Sequence, residues 1–524
     1  MTTDITDLTS SQKDYAIFLP AISGFFATFI GKQRETGNYV DPARLPTAFN
    51  EGVEGMNWLN DQQGYFKYKW SLYSAGHANL DLSKPCAKED MVRHRDRKNT
   101  LLLGDSGGFQ IAKGRWEGNW KDPNDRATSK KRQQVLKWLE GTSDYAMTLD
   151  IPTWIIHDKN AGAKTGIQTY EDAVNTTQYN NEYFIKNRTG ETKFLNVLQG
   201  SNHQEADQWY ELMKKYCDPK QYPGEHFDGW GMGGQNMCDT HLILKRIVTM
   251  LHDGLLEPGI HDWMHFLGTS RLEWACVLTD IQKAIRKYHN PNFTVSFDCA
   301  SPFLATANGQ IYTNNIMEDR SKWVYKMQPS VDDKKYCSDT RPFRDGVLQD
   351  GIFEDFLESP ISSKTLMKDV CIYCPGDLNK NKKEGKTSWD SFSYAIQMSH
   401  NVWMHINAVQ EANKLYDQDI YPGMLIQEKN NRYVCREIID AIFSTSEKGV
   451  QEELIETFSR FWTGIVGTRG FTGKRAINSH TMFNNLFEFT DETGSNSQDI
   501  PEDRDEPELD ESKLEDLDEN DVVT

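Results

Sequence analysis

The feature that most constrains the fold is a repeated alternation of short apolar strand patterns with longer amphipathic helix patterns. Successive strand patterns end 31 to 49 residues apart, which is the spacing of repeated βα units. The strand patterns cover residues 101–105, 144–150, 193–199, 228–233, 263–267 and 293–298. The helix patterns between them cover 129–140, 169–187, 203–216, 240–253 and 271–288. Six consecutive units predict an α/β fold with a (β/α)8 TIM-like barrel, and a doubly wound open sheet is the alternative.

The segments outside these units predict the first two strands and the boundaries of the domains. Residues 15–30 and 70–82 are apolar enough to supply the first two strands, the first with a covering loop. We predict a barrel with N-terminal additions at 1–314, and an insertion with a small metal-binding subdomain at 315–420. Helices that close the fold follow at 421–490, and an acidic tail occupies 491–524.

Charge and composition limit the cellular location and the binding partners that we expect for the protein. The tail holds 15 acidic and 2 basic residues, so it accounts for −13 of the formal net charge of −19 and is expected to be disordered. The body can therefore still present a basic face, for example at Lys130, Lys131 and Arg132. The chain has no run of 18 apolar residues, no basic region before its first apolar segment, and nine scattered cysteines. We expect a cytoplasmic protein without a membrane span, signal peptide or disulfide scaffold.

Two strand patterns end in an aspartate. Residues 101–110 read LLLGDSGGFQ and residues 293–313 read FTVSFDCASPFLATANGQIYT, with Asp105 and Asp298 at the strand ends. The carboxyl ends of parallel strands are where α/β enzymes place their chemistry. Two carboxylates far apart in sequence suit a nucleophile and a general acid/base, although either aspartate alone could simply begin a turn.

These two stretches resemble the motifs of the guanine transglycosylase family, which includes the queuine and archaeosine tRNA-guanine transglycosylases. The family pattern DSGG(Y/F)Q is matched in full at 105–110. The family's nucleophile motif aligns without a gap at 297–313, where seven positions are retained. These are Phe297, Asp298, Cys299, Pro302, Asn308, Gly309 and Thr313. The resemblance, which covers about 101–313, implies that Asp298 is the nucleophile and Asp105 the general acid/base.

The resemblance also implies a pocket for a guanine-like base. Its residues would be Ser106, Phe109, Gln110, Asp150, Gln199, Gly200, Gly233, Gly234, Leu267 and Gly268. Asp150 occupies the position of the family's second base-recognising aspartate, and Phe109 can stack on the base. Two positions depart from the pattern, because Gln235 replaces a usual leucine and Asp239 stands where bacterial members carry a glutamate. Taken singly, each of these could be a turn residue.

A Cys-x-x-Cys pair further along predicts a structural zinc site. Cys371 and Cys374 precede His400, which begins a His-Asn pair in a helix pattern. The family carries a third cysteine where this chain has Asp369. Either Asp369 supplies an oxygen ligand, or Cys337 or another residue completes the site, or the site is degraded. His405 is a competing histidine that we interpret as a packed helix residue.

Two positions at which this chain differs from the tRNA enzymes of the family predict whether its substrate is DNA or tRNA. The tRNA enzymes of the family place arginines where this chain has Leu304 and Ala307. The chain therefore looks most similar to the phage and bacterial DNA transglycosylases, which insert a preQ0-like 7-deazaguanine into DNA. If it is phage-encoded, it would act in the host cytoplasm. Transfer RNA is the alternative substrate, and a homodimer or an accessory protein is a further expected partner.

Two other functions fit parts of the sequence. GDSGG also surrounds the nucleophile of chymotrypsin-like proteases, which would make Ser106 the attacking group, but those proteases are all-β proteins with disulfides. Transglycosylase-like chains also serve as inactive partner subunits. Such a subunit is expected to lose a catalytic aspartate, whereas both are present here.

Overall fold

The chain forms an eight-stranded parallel barrel surrounded by helices, in a computed structural model that describes residues 5–347, 355–372, 388–427 and 433–465. The strands are β1 (Ile17–Pro20), β2 (Trp70–Ser74), β3 (Leu101–Asp105), β4 (Tyr145–Met147), β5 (Lys193–Leu198), β6 (Gly229–Met232), β7 (Trp263–Phe266) and β8 (Thr294–Cys299). From β2 to β8, strands adjacent in sequence are adjacent in the sheet, and β8 pairs with β1. The barrel nearly closes between β1 and β2, where the Ile22 N–H donates to the Leu72 carbonyl at 3.0 Å. The barrel prediction is confirmed, and the open-sheet alternative is wrong.

The strands read as apolar runs because both of their faces are covered. Leu102 and Leu103 are neighbours on β3 and therefore point to opposite faces, and both are fully buried. One face lies inside the barrel and the other lies under the helices, as expected for a parallel sheet. Ser74, Asp105 and Asp298 lie at or next to the carboxyl ends of three strands, so that end of the barrel is a candidate for a polar site.

The helices follow the strands as predicted, each of the five predicted ones within three residues of its expected bounds. Those around the barrel are α1 (Gly24–Thr36), α2 (Ala87–Arg93), α3 (Gly108–Ala112), α4 (Arg126–Thr142), α5 (Lys159–Thr165), α6 (Tyr170–Asn187), α7 (His203–Met213), α8 (Thr240–His252) and α9 (Leu272–Tyr288). One prediction here is wrong, because α1 follows β1 where a covering loop was expected. Ser23 begins α1 by accepting a hydrogen bond from the Phe26 N–H at 3.1 Å, and Gly37 ends it in the left-handed conformation.

The region after β8 leaves the barrel and then returns to it. It comprises α10 (Ser301–Ala307), the antiparallel hairpin of β9 (Gln310–Ile316) and β10 (Val324–Pro329), α11 (Phe343–Val347), α12 (Met367–Val370) and the long α13 (Ser391–Asp417). Helix α13 packs on the barrel, where His405 stacks on Phe18 of β1 at 4.4 Å and the Tyr416 hydroxyl donates to Asp280 of α9 at 2.8 Å. It therefore lies in the place of the eighth barrel helix.

The last described segment lies against the outside of the barrel. A short hairpin of β11 (Ile426–Gln427) and β12 (Tyr433–Val434) precedes α14 (Cys435–Ser444), α15 (Lys448–Thr457) and α16 (Ser459–Trp462). Helix α14 packs on α9 and α15 packs on α8. None of the described helices is long and apolar enough to cross a membrane. The acidic tail predicted at 491–524 lies outside the described residues.

Candidate active site at the carboxyl ends of the strands

Asp105 is the last residue of β3 and is held from the neighbouring strand. Ser74 is its register partner on β2, and the Ser74 hydroxyl donates to Asp105 Oδ2. The Gly107 N–H, in the turn that leads into α3, also donates to this carboxyl group. Burial raises the pKa of Asp105, and the nearby charge of Asp298 adds to this effect, while the two hydrogen bonds oppose it. Asp105 is therefore a half-buried carboxyl group with an increased tendency to hold a proton.

Asp298 lies on β8 near the same end of the barrel, and one of its oxygens is bound from the end of β7. Oδ1 accepts from His265 Nε2 at 3.1 Å and from the Gly268 N–H at 3.0 Å. The Thr269 N–H donates to the Asp298 carbonyl at 2.8 Å and so fixes the backbone. Among the residues that the structure describes, none donates to Oδ2 of Asp298.

His265 is a member of the site that our sequence analysis missed. It is fully buried on β7, where it is the register partner of Ser296 on β8. Its Nδ1 lies 2.8 Å from Ser296 Oγ, which also accepts from Trp263 Nε1 at 2.8 Å. A signal was present in the sequence, because Ser296 and Asp298 are two apart on one strand and a polar histidine interrupts the apolar run of the preceding strand.

Asp150 lies three residues beyond the end of β4 and faces the same region. Its Oδ2 accepts from Gln199 Nε2 at 2.7 Å, and its side chain is buried. Burial raises the pKa of Asp150 to about 7, and the charge of Asp105 adds to this effect. Gly108 allows the close approach of α3, since a Cβ there would lie 2.6 Å from the Asp150 carbonyl oxygen.

The loops after β5 and β6 meet through glycines beside Gln199. A Cβ on Gly233 would lie 2.8 Å from Gln199 Nε2, and a Cβ on Gly234 would lie 2.4 Å from the Gly200 carbonyl oxygen. Gly200 and Gly234 both have positive φ angles, of 126° and 54°. Gln199 Oε1 is buried and has no hydrogen-bond partner within the described part of the chain, so it can accept from a bound ligand.

The other residues that we predicted for the pocket are Ser106, Gln110, Phe109 and Leu267, and each has its own contacts within the protein. The buried Ser106 hydroxyl donates to the Thr148 carbonyl at 3.0 Å, which ties the end of β3 to the loop after β4. Gln110 Oε1 accepts from Arg115 at 3.2 Å. Phe109 is half-buried, with its ring 5.6 Å from the ring of Trp154. Leu267 is half-buried directly before Gly268. The serine-protease interpretation is wrong, since its all-β fold is absent from the described barrel and Ser106 is bound to backbone.

Asp239 is bonded entirely within the protein. Its Oδ1 caps α8 by accepting from the Leu242 N–H at 3.1 Å. Its Oδ2 accepts from Gln235 Nε2 at 2.9 Å and lies 2.7 Å from His203 Nε2. A ligand group that approached Asp239 would therefore have to displace one of these two side chains.

The residues that we predicted as zinc ligands have protein partners. His400 Nδ1 lies 2.8 Å from Ser359 Oγ and His400 Nε2 lies 2.8 Å from the Tyr312 carbonyl oxygen. Asp369 accepts from the Leu366 N–H at 2.7 Å, and Cys371 Sγ donates to the Val331 carbonyl at 3.4 Å.

In this arrangement His400 offers no ring nitrogen to a metal ion. Within the described ranges no group of three or more His, Cys, Asp or Glu side chains could hold a metal ion. Cys374 lies outside the described residues. Zinc binding therefore stays a prediction, and we derive no catalytic step from it.

The structure thus gathers the predicted catalytic and base-binding residues at one end of the barrel. Asp105, Asp150 and Asp298 influence one another electrostatically, since the charge of Asp298 raises the pKa of Asp105 and the charge of Asp105 raises the pKa of Asp150. A scan against models of known protein families finds no match, and a search of curated proteins also finds none. The arrangement of carboxyl groups is therefore the main evidence for what this site does.

Proposed function

We propose that the protein is a DNA-guanine transglycosylase, which exchanges guanine in DNA for a preQ0-like 7-deazaguanine. The observation that carries the proposal is the different surroundings of two carboxyl groups at one end of the barrel. Asp298 has one oxygen fixed by two N–H donors and the other without a donor among the described residues. Asp105 has a raised pKa, to which the charge of Asp298 contributes, and it can hold a proton.

In the first displacement, a carboxylate oxygen of Asp298 attacks C1′ of the target nucleotide. The C1′–N9 bond breaks, the departing guanine takes a proton from Asp105, and a covalent glycosyl-enzyme forms. In the second displacement, N9 of the incoming base attacks C1′ and the bond to Asp298 breaks. The incoming base gives its N9 proton to Asp105, which returns to its starting state. Two displacements at one carbon retain its configuration.

The base is recognised by Asp150 and Gln199 in this proposal. A guanine-like base presents two N–H donors on one edge, which a carboxylate can accept. Asp150 is close enough to Asp105 for the charge of Asp105 to raise the pKa of Asp150. Gln199 Oε1 supplies a further buried acceptor. The half-buried Phe109 is available to stack on the face of the base.

Two lysines at the mouth of the barrel support a nucleic-acid partner. Lys113 Nζ lies 5.5 Å from the ring centroid of Phe109, and Lys131 Nζ lies 4.9 Å from that of Trp116. Trp116 packs on Gly107, so Lys131 is close to the loop that follows Asp105. Neither lysine forms an ion pair with a carboxylate of the described chain, so both are available to phosphates.

The choice of DNA over tRNA rests on α10. Leu304, which stands where the tRNA enzymes carry an arginine, is buried in this helix and does not reach solvent. This favours a polymer whose recognition does not use that position. Transfer RNA is the second candidate. The inactive-subunit alternative is disfavoured because such a subunit is expected to lose a catalytic aspartate, whereas both are present in this chain.

Exchange of a labelled base tests the proposal directly. Purified protein is incubated with a radiolabelled 7-deazaguanine and with single-stranded DNA, duplex DNA or tRNA. The target base must leave the stack, so we expect more incorporation into single-stranded than into duplex DNA. Asp298→Asn, which keeps the shape of the side chain, should give neither incorporation nor a denaturant-resistant complex. Incorporation only into tRNA would overturn the choice of DNA, and a fully active Asp298→Asn variant would overturn the mechanism.

A further inference from the structure

We propose that His265 is a positioning residue that fixes the nucleophile, so that Oδ2 of Asp298 is the atom that attacks C1′. This inference rests on the proposed function and deepens it. His265 Nε2 and the Gly268 N–H converge on Oδ1, at 3.1 and 3.0 Å. Rotation of the carboxylate about its last bond would exchange the two oxygens, and the paired donors oppose that rotation.

The orientation of His265 is set by two residues behind it. Trp263 Nε1 can only donate a hydrogen bond, and it donates to Ser296 Oγ at 2.8 Å. Nε2 of His265 faces a carboxylate oxygen, which can only accept, so Nε2 carries the proton that is donated to Asp298. In the neutral ring Nδ1 is then the accepting nitrogen, and the Ser296 hydroxyl, 2.8 Å away, is placed to donate to it.

The chain of hydrogen bonds from Trp263 through Ser296 and His265 to Asp298, which we call the relay, determines what His265 does in both displacements. When the C1′–Oδ2 bond forms, Oδ1 becomes the carbonyl oxygen of the glycosyl ester and keeps its two N–H donors. When that bond breaks in the second displacement, its electron pair returns to the carboxylate, whose charge the same donors stabilise. No proton moves through His265, which distinguishes its role from that of Asp105.

Burial makes the relay effective. His265 and Ser296 are fully buried, so water does not compete for the hydrogen bonds within the relay. Loss of a hydrogen bond to a charged group corresponds to about a 10- to 100-fold change in rate when the bond acts in the reaction. The nucleic acid and the base bind through other residues, so their affinities should not change.

Substitutions at His265 test the proposal. We expect His265→Phe to lower the rate at which the covalent complex transfers its glycosyl group to the incoming base, measured in a single turnover, about 10- to 100-fold at unchanged affinity for DNA. His265→Gln, which restores an N–H donor, should recover part of the rate, and Ser296→Ala should have an intermediate effect. The matched control is His261→Gln. This buried histidine lies before β7, at the opposite end of the barrel, and its Nε2 lies 2.8 Å from the Cys217 carbonyl oxygen.

A wild-type rate in His265→Phe, or equal losses in the Phe and Gln variants, would overturn the role. A measurement that needs no activity is the ¹⁵N spectrum of the labelled histidine side chains in the full-length protein. The proton should be on Nε2 of His265, and Asp298→Asn should shift that signal. A proton on Nδ1 would overturn the inference whether or not the enzyme exchanges bases. Absence of exchange in the wild type, with the proton on Nε2, would instead count against the proposed function and leave the relay standing.

Discussion

Asp105 and Asp298 lie at the carboxyl ends of two strands that are far apart in the sequence, yet the charge of Asp298 contributes to the raised pKa of Asp105. Burial is the larger cause of that shift, and hydrogen bonds from Ser74 and Gly107 oppose it. Asp298 is held differently, by two N–H groups on one oxygen. The two carboxyl groups are therefore not interchangeable. Replacement of Asp105 and replacement of Asp298 should have different effects on the reaction.

Asp105→Asn keeps the shape of the side chain and one accepting oxygen but cannot exchange a proton. We expect turnover to fall about 10²- to 10⁴-fold, while the affinity for DNA stays unchanged. Single-turnover exchange and a separate binding measurement check this. Ser74→Ala removes one donor to the carboxyl group and is the milder companion variant. Turnover at the wild-type level in Asp105→Asn would remove Asp105 from the acid/base role.

The raised pKa of Asp150 predicts that the free energy of unfolding depends on pH. Its pKa in the folded protein is raised to about 7, whereas an unfolded aspartate titrates at about 3.9. The folded state therefore binds more protons between these two values. The stabilising contribution is fully present below about pH 4 and is lost as the pH rises through about 7. Denaturant unfolding of the wild type and of Asp150→Asn across this range should show a shallower loss of stability with pH in the variant.

Asp280 is the matched control for that experiment. Burial also raises its pKa to about 7, but it lies in α9 and accepts a hydrogen bond from Tyr416. Asp280→Asn should alter the pH dependence of unfolding with the same sign as Asp150→Asn. Only Asp150→Asn should weaken the binding of a free 7-deazaguanine base. Equal loss of base binding in both variants would show that Asp150 does not contact the base.

Lys113 and Lys131 should contribute to nucleic-acid affinity without reading its sequence. Replacing either lysine with alanine should lower affinity for single-stranded DNA and reduce the slope of log affinity against log salt by about 0.7. Lys220 is an exposed lysine before β6, at the opposite end of the barrel, and Lys220→Ala is the control. Fluorescence anisotropy at several salt concentrations gives both quantities. An unchanged slope in the Lys113 and Lys131 variants would place the nucleic acid elsewhere.

Gly108 tests how closely α3 must approach Asp150. A Cβ at this position would lie 2.6 Å from the Asp150 carbonyl oxygen, so Gly108→Ala has to move backbone. We expect it to reduce exchange strongly and to lower the free energy of unfolding by about 1–3 kcal/mol. Gly449→Ala, in α15, meets nothing within 4 Å and should leave both properties nearly unchanged. Full exchange by Gly108→Ala would show that this contact is not needed.

A substitution of His400 distinguishes a hydrogen-bonding role of this residue from a metal-binding role. Both of its ring nitrogens lie 2.8 Å from protein oxygens, and burial lowers its pKa to about 4. We expect His400→Ala to destabilise the fold by about 2–4 kcal/mol, through a cavity and the loss of two hydrogen bonds, with the same metal content per chain as the wild type. Denaturant unfolding and elemental analysis measure these. If the variant loses zinc that the wild type holds, His400 is a ligand, as the sequence resemblance implies.

The sequence by itself determined the barrel and its two principal aspartates. Strand and helix periodicities are local properties, and each of the six strands read from them ends within three residues of its predicted end. A parallel βα repeat brings the carboxyl ends of its strands to one edge, so the strand pattern alone places Asp105 and Asp298 at the same end of the barrel. The first strand region was predicted less well, because the cap at Ser23 was not recognised as the start of α1.

Only the tertiary structure decided which side chains meet. The contact of His265 with Asp298 depends on the register between β7 and β8, which a single strand pattern does not contain. The place of α13 against β1 depends on how the chain returns after an insertion. The same holds for His400, whose partners Ser359 and Tyr312 are 41 and 88 residues away in the sequence. Local periodicity specifies which face of an element is buried, whereas register and packing across distant elements specify what that face touches.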